Sequence, residues 1–443
     1  MISLATQLSM IACLLMLVLL YTGRRLSPSM LMILVFMLLT GNLEMLVTAM
    51  LGKLPIELYY IRVESLDYAT CLYNQAWLTF AVGLWLGTHR NQLAAALTEP
   101  GFQGLWAQRS QGLNAVRLYG ILFLLSTPLE FLMSGPLRAF TQLLLPLLCL
   151  RFLPVFMLAY SYFRHGRNGS YLLAVSMFEV IANLSFFNSF RTLFTVIACA
   201  MLLAFMSGSR SRWLSALLAG SLMFAVLSVW SFIKPEFRSY LNNGEITQAD
   251  TRTTTEKIDF TMNLVRNMTA EDFQTGMAST MSRVAYNSFF AATVFNVPEF
   301  RPYGSGEMLF DSVRNALMPR FLFPNKPVID DSVIAAKVTG LHISGQERGT
   351  SINVGVIGEL YADMGPYLML VAMFIFGWLT ARMEGYIFTQ IGSTQEALAF
   401  SAIFFGAFGT SVYSLPKFVG AMLYLFVAVV IFFRYFYRRI DRL

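Results

Sequence analysis

Residues 213–256 read WLSALLAGSLMFAVLSVWSFIKPEFRSYLNNGEITQADTRTTTE. From Trp213 to Phe232 there is no charge, and about 20 apolar helical residues suffice to cross a bilayer core of ~30 Å. At Lys234 the hydropathy collapses and stays low to about Thr350. This interruption carries 12 Lys/Arg against 13 Asp/Glu. On both sides of it, apolar runs of crossing length follow one another with short breaks. A polytopic membrane protein with one dominant loop is expected to place its chemistry there. Short loops alone would point to a channel or carrier.

Composition agrees. Of 443 residues, 56% are hydrophobic and 13% charged, with 39 Phe and 25 Met, whereas a soluble domain carries about 25% charge. The net charge of +7 is not a nucleic-acid signature: the loop nets −1, and the remaining +8 sits mostly in short connections and the C-terminal tail, where it fixes membrane orientation. Cys13, Cys71, Cys149 and Cys199 lie in or beside apolar runs without ligand spacing. Neither a disulfide nor a metal site is expected. No P-loop, zinc spacing, Rossmann fingerprint or serine-protease order occurs, and no cofactor is expected.

The predicted fold is an all-α polytopic membrane protein with eleven spans, near 3–22, 29–51, 70–88, 116–135, 140–162, 170–187, 192–208, 213–232, 354–381, 395–412 and 418–436. Residues 1–232 hold spans one to eight, 233–353 form the large loop, and 354–443 hold the last three spans and a basic tail. The N-terminal apolar stretch reads as an uncleaved first span. Arg24, Arg25, Arg90, Arg109, Arg164, Arg167, Arg210, Arg212, Arg382 and the tail arginines fall on one side. That side is expected to be cytoplasmic. The N-terminus and the loop then face outward.

Within the loop, residues 234–275 are polar and Thr-rich. Thr280 to Pro298 is apolar and reads as an amphipathic helix on the membrane surface or on the bundle. A turn at Pro302–Gly306 precedes a helix from Glu307 to Met318. Pro319-Arg320-Phe321-Leu322-Phe323-Pro324-Asn325-Lys326-Pro327 has three prolines in nine residues and is expected to be stiff and extended, holding Arg320 and Lys326 outside the membrane.

Arg191 stands at an outer span junction, against the positive-inside preference. It is either an interfacial anchor or a cation that receives a phosphate. Glu44, Arg151 and Glu179 fall within spans, where charges face the bundle and pair with one another; a structural Arg151–Glu179 pair is expected. The loop's end concentrates His342, Glu347 and Arg348 before Thr350-Ser351. Asp330-Asp331 reads as a solvated turn or a cation ligand. Glu359 and Asp363, in Gly358-Glu359-Leu360-Tyr361-Ala362-Asp363-Met364-Gly365, suggest a polar cavity at the start of the ninth span.

Together these features resemble the Wzy-type polysaccharide polymerases of bacterial envelopes, the O-antigen and oligosaccharide repeat-unit polymerases. The likeness covers roughly 185–380. It rests on the late outer loop, on Arg191 followed by the basic turn Ser207–Arg212 and one more span, and on the 319–327 segment with Thr350-Ser351 and Gly358, Glu359 and Gly365 after it. The resemblance implies a multi-span, GT-C-like glycosyltransferase of the inner membrane. It would join undecaprenyl-diphosphate-linked repeat units, beside a flippase and a chain-length regulator. Arg191, Arg283, Arg320, Lys326 and Arg348 would neutralise the diphosphate leaving group without a metal. His342, Glu347, Asp331 and Glu359 are the candidate bases for the acceptor hydroxyl. An O-antigen ligase, which His342 keeps open, and a lipid-oligosaccharide flippase are the alternatives.

Overall fold

A computed structural model describes residues 2–51, 63–88, 93, 96–97, 112–134, 137, 140–182, 191–208, 213–241, 252–284, 287–319, 322–323, 325–326, 329–343, 352–391, 395–407 and 413–437. Among them there is no strand. The helices in chain order are α1 (Leu4–Thr22), α2 (Pro28–Leu51), α3 (Val63–Gly87), α4 (Gly112–Ser134), α5 (Thr141–Leu148), α6 (Leu153–His165), α7 (Gly169–Ala182), α8 (Arg191–Met206), α9 (Trp213–Leu241), α10 (Thr254–Arg266), α11 (Ala270–Val284), α12 (Asn287–Asn296), α13 (Glu307–Leu317), α14 (Asp331–Thr339), α15 (Gly355–Ile391), α16 (Gln395–Ala407) and α17 (Leu415–Ile431).

Among the described residues, six helices are long and apolar enough to cross a membrane: Leu4–Thr22, Pro28–Val47, Gly112–Met133, Leu214–Leu241, Gly355–Ile391 and Leu415–Tyr435. Bare apolar side chains such as Leu4, Leu8, Ile11 and Leu15 along α1, and Leu124 and Phe131 on α4, are exposed. In water such a surface would be an aggregation hazard, whereas in lipid it is the required exterior. The chain is a helical membrane protein. Of the other expected crossings, α7, α8 and α16 are described over 14, 16 and 13 residues, each bordering residues outside the described set. The run 140–162 is not one helix. A 3-10 turn at Cys149–Phe152 divides it, between Pro146 and Pro154, which donate no backbone N–H.

α3 is the central element, packed against α1, α2, α12 and above all α15. Its contact with α15 is a glycine seam. A Cβ on Gly83 would lie 2.2 Å from the Phe374 carbonyl oxygen, and one on Gly377 would lie 2.2 Å from that of Phe80. Only hydrogen fits on either side, and the backbones approach accordingly. Within the bundle one arginine is doubly paired. Arg151 bridges Glu130 at 2.6 Å and Glu179 at 2.9 Å, so the expected Arg151–Glu179 pair is present, with Tyr119 donating to Glu179.

The long loop is mostly helical and folds back onto the spans. α10 and α11 begin with reciprocal caps, Thr253 with Glu256 and Thr269 with Asp272. The backbone N–H bonds they accept hold both carboxyls below the ordinary range. The expected single helix over 280–298 is two helices, ending at Val284 and restarting at Asn287. α12 is buried among α2, α3, α14 and α15. Its N-terminal N–H groups would be orphaned there. Glu44 of α2 accepts the Ser288 N–H at 2.7 Å, and Asn287 donates to Thr70 at 2.8 Å.

Candidate functional site

α15 contains the break that builds the site. At Gly365 the backbone takes φ 75° and ψ 178°, a left-handed value that glycine adopts without strain, and Pro366 follows. The preceding segment, 355–364, is thereby freed from the direction of the span. It carries Glu359 and Asp363, both fully buried, and α13, α14 and the start of α17 assemble around it.

Asp363 organises α13. That helix begins after Gly306, at φ 90°, which has no side chain to cap it. Asp363 supplies the cap from the neighbouring helix, accepting the Met308 N–H at 3.0 Å and the Leu309 N–H at 2.9 Å. Its charge faces the positive end of the helix dipole. The close approach needs Gly304, where a Cβ would stand 2.6 Å from Asp363 Oδ1.

Asp331 anchors α14 to α17. It is fully buried, accepts the Ser414 hydroxyl at 2.8 Å, and pairs with Lys417. The reading of Asp330-Asp331 as a solvated turn is therefore corrected for Asp331. Asp330 caps α14 by accepting the Ser332 N–H at 2.9 Å.

Between these elements lies a cleft of about 720 Å³, lined by Arg301, Gly304, Glu307, Met308, Asp311, Ser312, Arg314, Asn315, Met318, Lys326, Ile329, Asp330, Val333, Ile334, Lys337, Val338, Glu359, Ala362 and Pro416. Glu359 has one oxygen committed, Oε2, which accepts the Leu415 N–H at 2.8 Å. The other, Oε1, is buried without a hydrogen-bond partner. An unsatisfied buried carboxylate oxygen is costly, and this one belongs to a residue of the cleft wall. Arg314 and Lys337 are exposed, while Arg301 donates to the Lys337 carbonyl at 3.3 Å. Glu307 and Asp311 also line the cleft, which thus carries both cations and carboxylates.

Of the residues singled out from the sequence, Lys326, Asp330 and Glu359 line this cleft. The Lys326 ammonium donates to the carbonyls of Asn315 and Met318, closing the C-terminal end of α13. The described residues of the proline segment, 319, 322–323 and 325–326, do not show the extended form expected. Leu322 and Phe323 both donate to the Pro319 carbonyl, and Lys326 to that of Phe323, which are turns. Fixed proline φ angles suit turns as well as extended chain. His342 is exposed and is not among the lining residues. Arg191 begins α8 and Arg283 lies in the last turn of α11, and for these two only the backbone is described. Arg320, Glu347 and Arg348 lie outside the described residues. Arg301, Glu307, Asp311, Arg314 and Lys337 were not anticipated. The spacing of residues 307, 311 and 314 at i, i+4 and i+7 marks one helical face, and that signal was present to be read.

Among the described residues no group of His, Cys, Asp and Glu suits a metal ion. No curated protein and no solved structure matches the chain. A family model described as a domain of unknown function, DUF8712, matches residues 109–439, three quarters of the chain, and the chain belongs to that family.

Proposed function

We propose that the protein is a polymerase of lipid-linked oligosaccharides, a GT-C-like glycosyltransferase with about eleven crossings in a bacterial inner membrane. Its N-terminus and large loop are periplasmic and its C-terminus cytoplasmic, and its cleft takes the sugars. In this reading the acceptor hydroxyl at the non-reducing end of one repeat unit attacks the anomeric carbon of a glycan on undecaprenyl diphosphate. The bond from that carbon to the diphosphate oxygen breaks, the diphosphate leaves with the electron pair, and the hydroxyl proton passes to a base. A flippase supplies the substrate and a chain-length regulator limits the product.

The observation that carries this reading is Glu359 Oε1: a buried carboxylate oxygen in a cleft wall, without a donor. An acceptor hydroxyl is a donor of the right kind for a general base. Its other oxygen is held by the Leu415 N–H, which fixes the carboxylate's direction. The cations around the cleft, Arg301, Arg314 and Lys337, add to Arg191 and Arg320 as groups that offset charge on the leaving diphosphate. The ligase alternative leaned on His342, to which the cleft gives no role.

The test is polymerisation of defined lipid-linked repeat units by purified protein in the presence of chelator. Glu359→Gln is expected to lower turnover by about 10²–10⁴-fold, the usual loss when a general base is removed, with the protein still in the membrane. Polymer made at the wild-type rate by Glu359→Gln would remove the carboxylate from the chemistry.

A further inference from the structure

α13 has two faces. One lines the cleft through Glu307, Asp311 and Arg314. The other is an apolar stripe of Phe310, Val313 and Leu317 at i, i+3 and i+7, with Phe310 68% and Leu317 63% exposed. Leu322 and Phe323, in the turn that follows, continue the exposed apolar surface. The question is what covers it, and the depth of α13 answers.

α13 packs along α17 and against α15, both helices of crossing length. Its Ala316 carbonyl accepts the Tyr424 hydroxyl at 2.9 Å. Tyr424 lies in the middle of the apolar span Leu415–Tyr435, about 14 Å from its start at 1.5 Å per residue. Even with the ring leaning back towards the helix N-terminus, the C-terminal end of α13 lies beside the spanning part of α17 and not above it.

The carbonyls at that end tell the same story independently. The last C=O groups of a helix lack intrahelical partners and are ordinarily left to water. Here side chains serve them: Lys326 donates to Asn315 and Met318, and Tyr424 to Ala316. Side-chain donors on Asn315 and Ala316, two of the last four helical carbonyls, suit a helix end set beside a span.

We infer that α13 is a re-entrant helix whose C-terminal half is sunk in the leaflet on the loop side, with Phe310, Val313 and Leu317 against acyl chains. The cleft wall is therefore also a lipid contact. Lys326 serves this arrangement from the cleft side, donating to the carbonyls at the end of the helix. The inference does not depend on the reaction assigned to the cleft.

The experiment places an environment-sensitive fluorophore on Leu317→Cys, Val313→Cys or Glu307→Cys in the full chain. The protein is reconstituted in phosphatidylcholine–phosphatidylglycerol vesicles, and identically treated wild-type protein gives the background from the native cysteines. Quenching by lipids carrying a nitroxide on the acyl chain is compared with quenching by aqueous iodide. The 317 and 313 labels are expected to be quenched several-fold more by the lipid nitroxide than by iodide, and the 307 label the reverse. Two positions on the stripe guard against a single misfolded variant. Iodide quenching at 317 and 313 as strong as at 307 would overturn the inference by showing a water-facing stripe. Protection of both positions from both quenchers would overturn it in favour of a second copy of the chain on that face.

Discussion

Single residues in this protein show how much a charge depends on its partner's exposure. Asp331 is fully buried, while the Lys417 side chain is 47% exposed. Removing the lysine strands a carboxylate in the interior. Removing the aspartate leaves an ammonium that water can reach. Lys417→Met is therefore expected to destabilise by roughly 3–5 kcal/mol, the cost of an uncompensated buried charge, and Asp331→Asn by markedly less. Thermal denaturation midpoints in detergent would show the order, and equal losses would contradict it. The burial of Asp331 was not legible in the sequence, because it is set by Ser414 and Lys417, far along the chain. The Arg151–Glu179 pair was legible, since an ion inside a span has few ways to exist except in company. Lys326 was singled out as a cation near the membrane, and its bond to two carbonyls depends on turns that three prolines did not announce.

At the level of elements, the α3–α15 seam is the feature with the clearest cost. Gly83 and Gly377 each face a backbone carbonyl oxygen, which cannot rotate away as a side chain can. Gly377→Ala is expected to cost about 1–3 kcal/mol, the usual penalty of overpacking, and Gly377→Leu to prevent folding. The same substitution at Gly220, where nothing lies within 4 Å of an added Cβ, should be tolerated. Thermal unfolding of the two alanine variants side by side checks this. Hydropathy made the all-helical membrane class legible, and the pattern of Glu307–Met318 gave α13 nearly to the residue. Hydropathy did not reveal that Cys149–Phe152 interrupts an apolar run or that 280–298 is two helices. Those breaks follow from packing and from where polar groups find partners. Gly87, four residues after Gly83, lies on the same seam, where a Cβ would stand 2.7 Å from the Trp378 carbonyl oxygen, and that spacing was present to be read.

For the whole molecule, the proposed topology rests on the distribution of arginines. A cysteine at position 252 should react with an impermeant reagent in intact cells, and one at 382 only after permeabilisation, because positive charge is retained on the cytoplasmic side. The reverse pattern would invert the proposed topology. The cleft also has a history in biosynthesis. The N–H groups of Met308 and Leu309 wait for Asp363, 55 residues later, and Asp331 waits for Lys417, 86 residues later. At about 5–20 residues per second these intervals are roughly 3–11 and 4–17 s. During that time α13 and α14 have left the ribosome without the helices that cap and anchor them. The cleft is thus closed last, by the C-terminal end of the chain. A nascent protein interrupted before Lys417 would hold most of its membrane helices yet lack one wall of the cleft, a state that a quality-control protease would meet as an uncovered loop.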